Sequence, residues 1–295
     1  MAGMKFLPWV FLVLGPTADA VVVASGGVNN TAPAGQPYFA NVGPGGIYLG
    51  DGWVLTAAHV AGSLPATASF GGLSYATEPG SFYRLQNNPP LTTLTDIVLF
   101  RLSSPPALPG MEISSTTPTV GSEVMMIGNG RTQEGALTHW DRTVISGNDN
   151  DTWVEGPAIS SNISGWETTG TQEVRWGTNR VHNVGLVVTL PAGNVVAFST
   201  QFDKAGLAEE AQAVSGDSGG AVLSQNGSQW ELSGMMVAVS TYEMQPGGAA
   251  TAVFGVQTAI ADLSYYRGQI YSIIPEPSVA GLWLLGAVAG LRRRR

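Results

Sequence analysis

Between positions 47 and 127 the chain alternates short apolar runs with turn-forming clusters. The runs fall at residues 47–49, 53–56, 66–70, 97–102 and 124–127, each with Gly, Pro, Asp or Ser on at least one side. Short runs at such even spacing predict the strands of a small antiparallel barrel. The same rhythm resumes at 174–176, 184–190, 195–200, 221–223, 230–239 and 252–254, which predicts a second barrel. Residues 257–270 carry apolar side chains at Ile260, Leu263, Tyr266 and Ile270, a spacing that suits one closing amphipathic helix. Between the two sets, residues 143–172 are rich in Ser, Gly, Asn, Asp and Thr, punctuated by Trp153 and Trp166. That composition predicts long surface loops. The expected fold is therefore all-β, two antiparallel Greek-key β-barrels followed by a C-terminal helix.

The two ends read differently from the middle. Residues 1–20 hold Lys5, an apolar run over 6–14 and the small-residue sequence Ala18, Asp19, Ala20, the three parts of a secretory signal peptide cleaved after Ala20. The alternative is an uncleaved anchor, against which stand the shortness of the run and Pro8 within it. Past Pro275, Glu276 and Pro277, an apolar run over 279–291 leads to Arg292, Arg293, Arg294 and Arg295. The run is short of the roughly 20 residues that a spanning helix takes, and the arginines would hold its end on the cytoplasmic side. The resulting division is 1–20 signal peptide, 21–127 first barrel, 128–273 second barrel with the helix, and 274–295 tail.

Composition narrows the classes further. The chain has 13 Lys and Arg against 21 Asp and Glu, a formal net charge of −8. Four of the positive charges are the terminal arginines, so the region between the ends is more acidic still. No basic face remains for nucleic acid, and that class of partner is excluded. There is no cysteine; although the chain reads as exported, packing and not disulfides must hold it.

Three stretches carry chemistry. Gly216, Asp217, Ser218, Gly219 and Gly220 follow a polar loop and lead into Ala221, Val222 and Leu223. A serine hydroxyl needs a base and oxyanion donors before it attacks a carbonyl, and glycines on both sides let backbone N–H groups turn inward. Thr56, Ala57, Ala58 and His59 close a short apolar strand and offer the base. Asp96 stands at the entrance of the apolar run 97–102, where a carboxylate can accept the imidazole Nδ1 proton. His139 and His182 sit in polar surroundings that recommend neither for chemistry. Asn148, Asp149, Asn150 and Asp151 alternate oxygen ligands as a Ca²⁺ loop does, but lack the Gly and terminal Glu of an EF-hand. A solvated turn is the simpler reading, and no metal or cofactor is expected.

In this order the three stretches resemble the trypsin-like, chymotrypsin-fold serine peptidases, whose hallmarks are a TAAH segment, a D-I-x-L strand and a GDSGG loop. The resemblance runs from Val21 to about Ile273. It implies Ser218 as nucleophile, His59 as general base and then acid, Asp96 as its orienting partner, and the N–H groups of Gly216 and Ser218 as the oxyanion hole. It puts Gln212, six residues before the serine, at the base of the primary specificity pocket and Val237, Ala238 and Val239 along its wall. A neutral or small-to-medium apolar residue before the scissile bond follows. Gly128, Asn129 and Gly130 resemble the family's crossing between barrels, with Asn129 in place of the usual Trp. In zymogens of this family a freed apolar N-terminus pairs with the residue before the serine; here Val21 would dock onto Asp217, although the usual Ile-Val-Gly-Gly start is absent. The C-terminal tail resembles a PEP-CTERM sorting signal, which implies an exosortase-type processing enzyme besides signal peptidase, transient membrane association, and delivery to the cell surface or extracellular matrix. The expected function is an exported serine endopeptidase acting on polypeptides. A catalytically silent surface or matrix-binding protein on the same fold, and an esterase with the same machinery, are the alternatives.

Overall fold

The computed structural model describes residues 11–12, 21–88, 92–145 and 150–274. The first half forms β1 (Val42–Gly43), β2 (Gly46–Gly50), β3 (Trp53–Ala57), β4 (Thr67–Phe70), β5 (Leu73–Ala76), β6 (Tyr83–Gln86) and β7 (Leu94–Arg101). Five of these make an antiparallel sheet in the order β1-β2-β3-β7-β6, and β4 and β5 form a separate hairpin. The hairpin closes over the β1–β2 turn: Gly43 and Gly45 lie hard against Ser69 and Ala68 of β4, where any Cβ would collide. At its other end Ser103 N–H donates to Ala76 O at 2.8 Å, so the hairpin also holds the exit of β7.

The second half contains β8 (Glu123–Gly128), β9 (Thr138–Thr143), β10 (Thr152–Glu155), β11 (Ile163–Trp166), β12 (Arg175–Val188), β13 (Val195–Gln201), β14 (Ala221–Asn226), β15 (Gln229–Ser240), β16 (Gln257–Asp262) and α1 (Leu263–Ile273). The order β15-β14-β8-β12-β13-β16, with β16 pairing back onto β15, closes a six-stranded barrel. The all-β class and the single C-terminal helix match the sequence expectation. One apolar core joins the halves: Ile47, Leu55 and Leu99 pack in the same cluster as Ile127, Leu223, Ala259 and Tyr266. The Tyr266 hydroxyl accepts from Val196 N–H (2.9 Å) and donates to Asn87 Oδ1 (2.7 Å), pinning α1 to both halves, and burial pushes its phenol up.

Three local expectations need correction. Residues 257–262 are strand and not the start of the helix; every one of them is buried in the barrel wall. The helix begins only after Asp262, whose carboxylate caps Ser264 N–H at 3.0 Å. The separate runs at 174–176 and 184–190 are parts of the single strand β12, interrupted by irregular register near Asn183. Its middle was hidden because buried positions there include Arg175, Gly177 and Asn179. Finally, residues 143–172 are not simply loops: β10, β9, β11 and Ala252–Val253 form a four-stranded sheet. Tryptophans furnish its core, with Trp140 and Trp153 edge-to-face at 6.1 Å.

Candidate active site

The ladder between β3 and β7 brings the first two residues together. Ala57 pairs with Ile97 and Ala58 N–H donates to Asp96 O at 3.1 Å, so the turn after β3 folds His59 back onto Asp96. One carboxylate oxygen of Asp96 accepts the His59 backbone N–H at 2.8 Å and the other accepts the ring Nδ1–H at 2.5 Å. Asp96 is fully buried and His59 is 10% exposed. Because an ionised carboxylate only accepts, Nδ1 carries the proton and the Nε2 lone pair faces the cleft.

Ser218 sits in a tight turn ahead of β14. Asp217 N–H donates to Val214 O (3.1 Å), Gly220 N–H to Asp217 O (2.8 Å) and Gly219 N–H to Met236 O (2.9 Å). The Asp217 carboxylate is itself buried, accepts from Val214 N–H at 2.9 Å and presses on Gly128 at the crossing between halves, where only glycine fits. Gly216 has φ +95°, a backbone conformation that glycine adopts without strain. Among the described residues neither N–H has a partner. Two unpaired N–H groups beside a hydroxyl form a ready cradle for an oxyanion. The Ser218 hydroxyl donates to Val237 O at 3.4 Å, and no hydrogen bond joins it to His59 among the described residues.

Beside Ser218 lies a narrow cavity walled by Ala213, Val214, Val237, Ala238 and Val239, with Met236 behind. Its free space for water centres is about 10 Å³, room for one water. Val237, Ala238 and Val239 line it, whereas Gln212 does not. Gln212 pairs directly with Val22, so its side chain shares that face, opposite to Ala211 and Ala213. It is 1% exposed and both amide atoms lack partners. Met236, which the sequence reading missed, sets the depth; its terminal methyl packs against Gly220 and Gly128. The two glycine positions were the available signal.

The open edge of β15 runs past this cavity. Phe11 and Leu12 pair with it antiparallel, opposite Ser240 and Val239. Val21, Val22 and Val23 are fully buried, and Val22 and Val23 pair with Gln212 and Ala211. Asp151, from the stretch with Ca²⁺-like spacing, is turned inward: it accepts from Arg142 Nε (2.8 Å) and Ile145 N–H (3.0 Å), so its oxygens are spent on protein. Asn148 and Asp149 lie outside the described residues, as do the C-terminal tail and most of the leader. Among the described residues no helix is long and apolar enough to cross a membrane, and no cluster of His, Asp and Glu forms a metal site.

The family profile described as Trypsin-like peptidase domain matches residues 43–235. No curated protein matches the sequence. Among solved structures, the inactive form of Rv3671c from M. tuberculosis H37Rv is similar over 91% of this chain and 99% of its own, at 16% identity and a TM-score of 0.44. Neuropsin, a serine protease expressed in the limbic system of mouse brain, is similar over 83% of this chain and 98% of its own, at 16% identity and a TM-score of 0.47. The HtrA-type protease AlgW, solved with a decapeptide, is similar over 78% of this chain and 50% of its own, at 17% identity and a TM-score of 0.44.

Proposed function

This chain belongs to the family of trypsin-like peptidase domains, and from that premise we propose that it is an exported serine endopeptidase working through Ser218, His59 and Asp96. The observation that carries the reading is the two-point grip of Asp96 on His59 in a chain whose Ser218 is flanked by two unpaired N–H groups. In the proposed reaction Ser218 Oγ attacks the substrate carbonyl while His59 Nε2 takes its proton. The oxyanion rests on the N–H groups of Gly216 and Ser218. His59 then gives that proton to the departing amine, and water, activated by the same nitrogen, releases the acyl group. Asp96 stabilises the imidazolium that exists between these transfers.

Export rests on the leader and tail patterns. Loss of residues 1–20 would also clear the β15 edge of Phe11 and Leu12, and would free an amine at Val21 for Asp217. The burial of Val21, Val22 and Val23 against the segment that precedes Ser218 supports this activation route. The test is covalent labelling with a fluorophosphonate. A chain beginning at Val21 will label when native and not when heat-unfolded, and a chain beginning at Ala24 will label at least tenfold more slowly. Equal labelling of native and unfolded protein would remove the assembled nucleophile, and equal rates from the two starts would remove the role of Val21.

The cavity dimensions refine the choice of bond. Walls of Ala, Val and Met around room for one water suit a small apolar side chain; the one carboxylate of the lining, Asp217, already accepts from Val214 N–H, and the space is too small for Lys or Arg to reach it. Matched peptides carrying Ala before the scissile bond will be cut with a kcat/KM at least about tenfold above those carrying Phe or Lys. A preference for either of the larger residues would contradict the pocket assignment.

A further inference from the structure

A cavity of about 360 Å³ lies where the added four-stranded sheet meets the barrel, and the proposed chemistry makes no use of it. Its apolar floor is Phe202 stacked on Phe254, ring centres 4.5 Å apart. Lys204, the one lysine among the described residues, lines the same cavity. Its Nζ donates to the hydroxyl of buried Ser164 at 3.2 Å, and no carboxylate pairs with it among the described residues. The other charged or titratable groups of the lining are His139, Asp203 and Tyr242; Asp203 already accepts from Gln201 Nε2 at 2.9 Å and the Tyr242 hydroxyl is spent on Phe254 O. A cation without a carboxylate partner, in a cavity that also offers aromatic rings and in a chain of net charge −8, is chemistry for a carboxylate.

The cavity also lies in line with the substrate edge. Tyr242 forms part of its wall and stands three residues beyond Val239, within about 10 Å along the chain. That wall is rigid: the Tyr242 hydroxyl donates to Phe254 O at 3.1 Å, and the Arg142 guanidinium, itself held by Asp151, covers the ring at 4.4 Å. The pairing of Leu12 with Val239 and of Phe11 with Ser240 gives the direction of a strand laid on this edge. A substrate in that direction, with the residue before its scissile bond opposite Val237, sends upstream residues past Ser240 towards Tyr242. Val214, a wall of the cavity beside Ser218, belongs to the same apolar cluster as Phe202 and Phe254, so the two cavities border one cluster.

We propose that the Lys204 cavity is a second substrate-recognition site, which takes an acidic side chain three to five residues upstream of the residue whose peptide bond is cut. The proposal rests on the peptidase reading above and adds a substrate class to it. Binding is measured on the Ser218→Ala chain, with fluorescent peptides that carry Ala at the cut position and either Glu or Gln at the three upstream positions. The Glu peptides will bind about three- to fivefold more tightly, the range for a partly exposed ion pair. The preference will shrink as salt is raised and disappear in Ser218→Ala, Lys204→Met. Lys204 is exposed, so its replacement leaves the fold intact. Equal binding of Glu and Gln peptides, or a preference that survives Lys204→Met, overturns the proposal. A Glu preference in a chain whose Ser218 form cuts no peptide would leave the acidic site standing and remove the peptidase reading. Cutting that ignores the upstream charge would do the reverse.

Discussion

Ser218→Ala will lower peptide turnover by about 10⁶-fold while the melting temperature stays within about 2 °C. The size of the kinetic loss follows from the step removed: with no Oγ there is no acyl-enzyme, and His59 has no proton to collect. The small thermal effect follows from the contacts. The hydroxyl makes a single long hydrogen bond, 3.4 Å to Val237 O, and the turn around it is held by backbone bonds from Asp217, Gly219 and Gly220. The N–H groups of Gly216 and Ser218 survive the change, so residual turnover above the water reaction should persist. The measurement is kcat on an Ala-containing peptide beside a thermal melt of each protein. Activity within a hundredfold of the parent would mean that another group is the nucleophile.

Asp96→Asn will cut kcat by about 10⁴-fold and leave the fold in place. The present geometry dictates which way the amide must turn. One oxygen of Asp96 accepts the His59 backbone N–H and the other accepts the ring Nδ1–H. An asparagine keeps the backbone contact only with its carbonyl, which aims its NH₂ at Nδ1. The ring then shifts its proton to Nε2 and loses the lone pair that should take the serine proton. Fluorophosphonate labelling will slow in parallel with kcat, because both need the same base. Unchanged kcat in Asp96→Asn would show that a different acid orients His59.

Much of this arrangement was legible in the sequence because it depends on short range. Thr56 to His59, Asp96 to Leu99 and Gly216 to Gly220 each fit within one strand end or turn, and the β3–β7 ladder needs only their alternation to bring His59 to Asp96. What the pattern hid was set by distant partners. Residues 257–262 carry helical spacing, yet pairing with β13 and β15 on either side makes them strand. The polar middle of β12 concealed a strand because Asn179 spends its amide on Ala211 O at 2.8 Å, a bond no local pattern announces. The sheet formed by β9, β10 and β11 escaped notice because it is held by a few tryptophans and by the pair of half-buried Arg142 with buried Asp151 instead of aliphatic alternation. Gln212 was placed by counting back from the serine, but which way a side chain faces depends on its strand partner, Val22.

The pairing of Val22 and Val23 with Gln212 and Ala211 sets a clock as well as a contact. The valines leave the ribosome about 190 residues ahead of their partners. At about 5–20 residues per second, the early strand waits on the order of ten seconds or more for its place to exist. Until then Val22 and Val23 have no strand to pair with, and because Ser218 follows Gln212 in the chain, the Ser218 turn is made only after both strands of its backing exist.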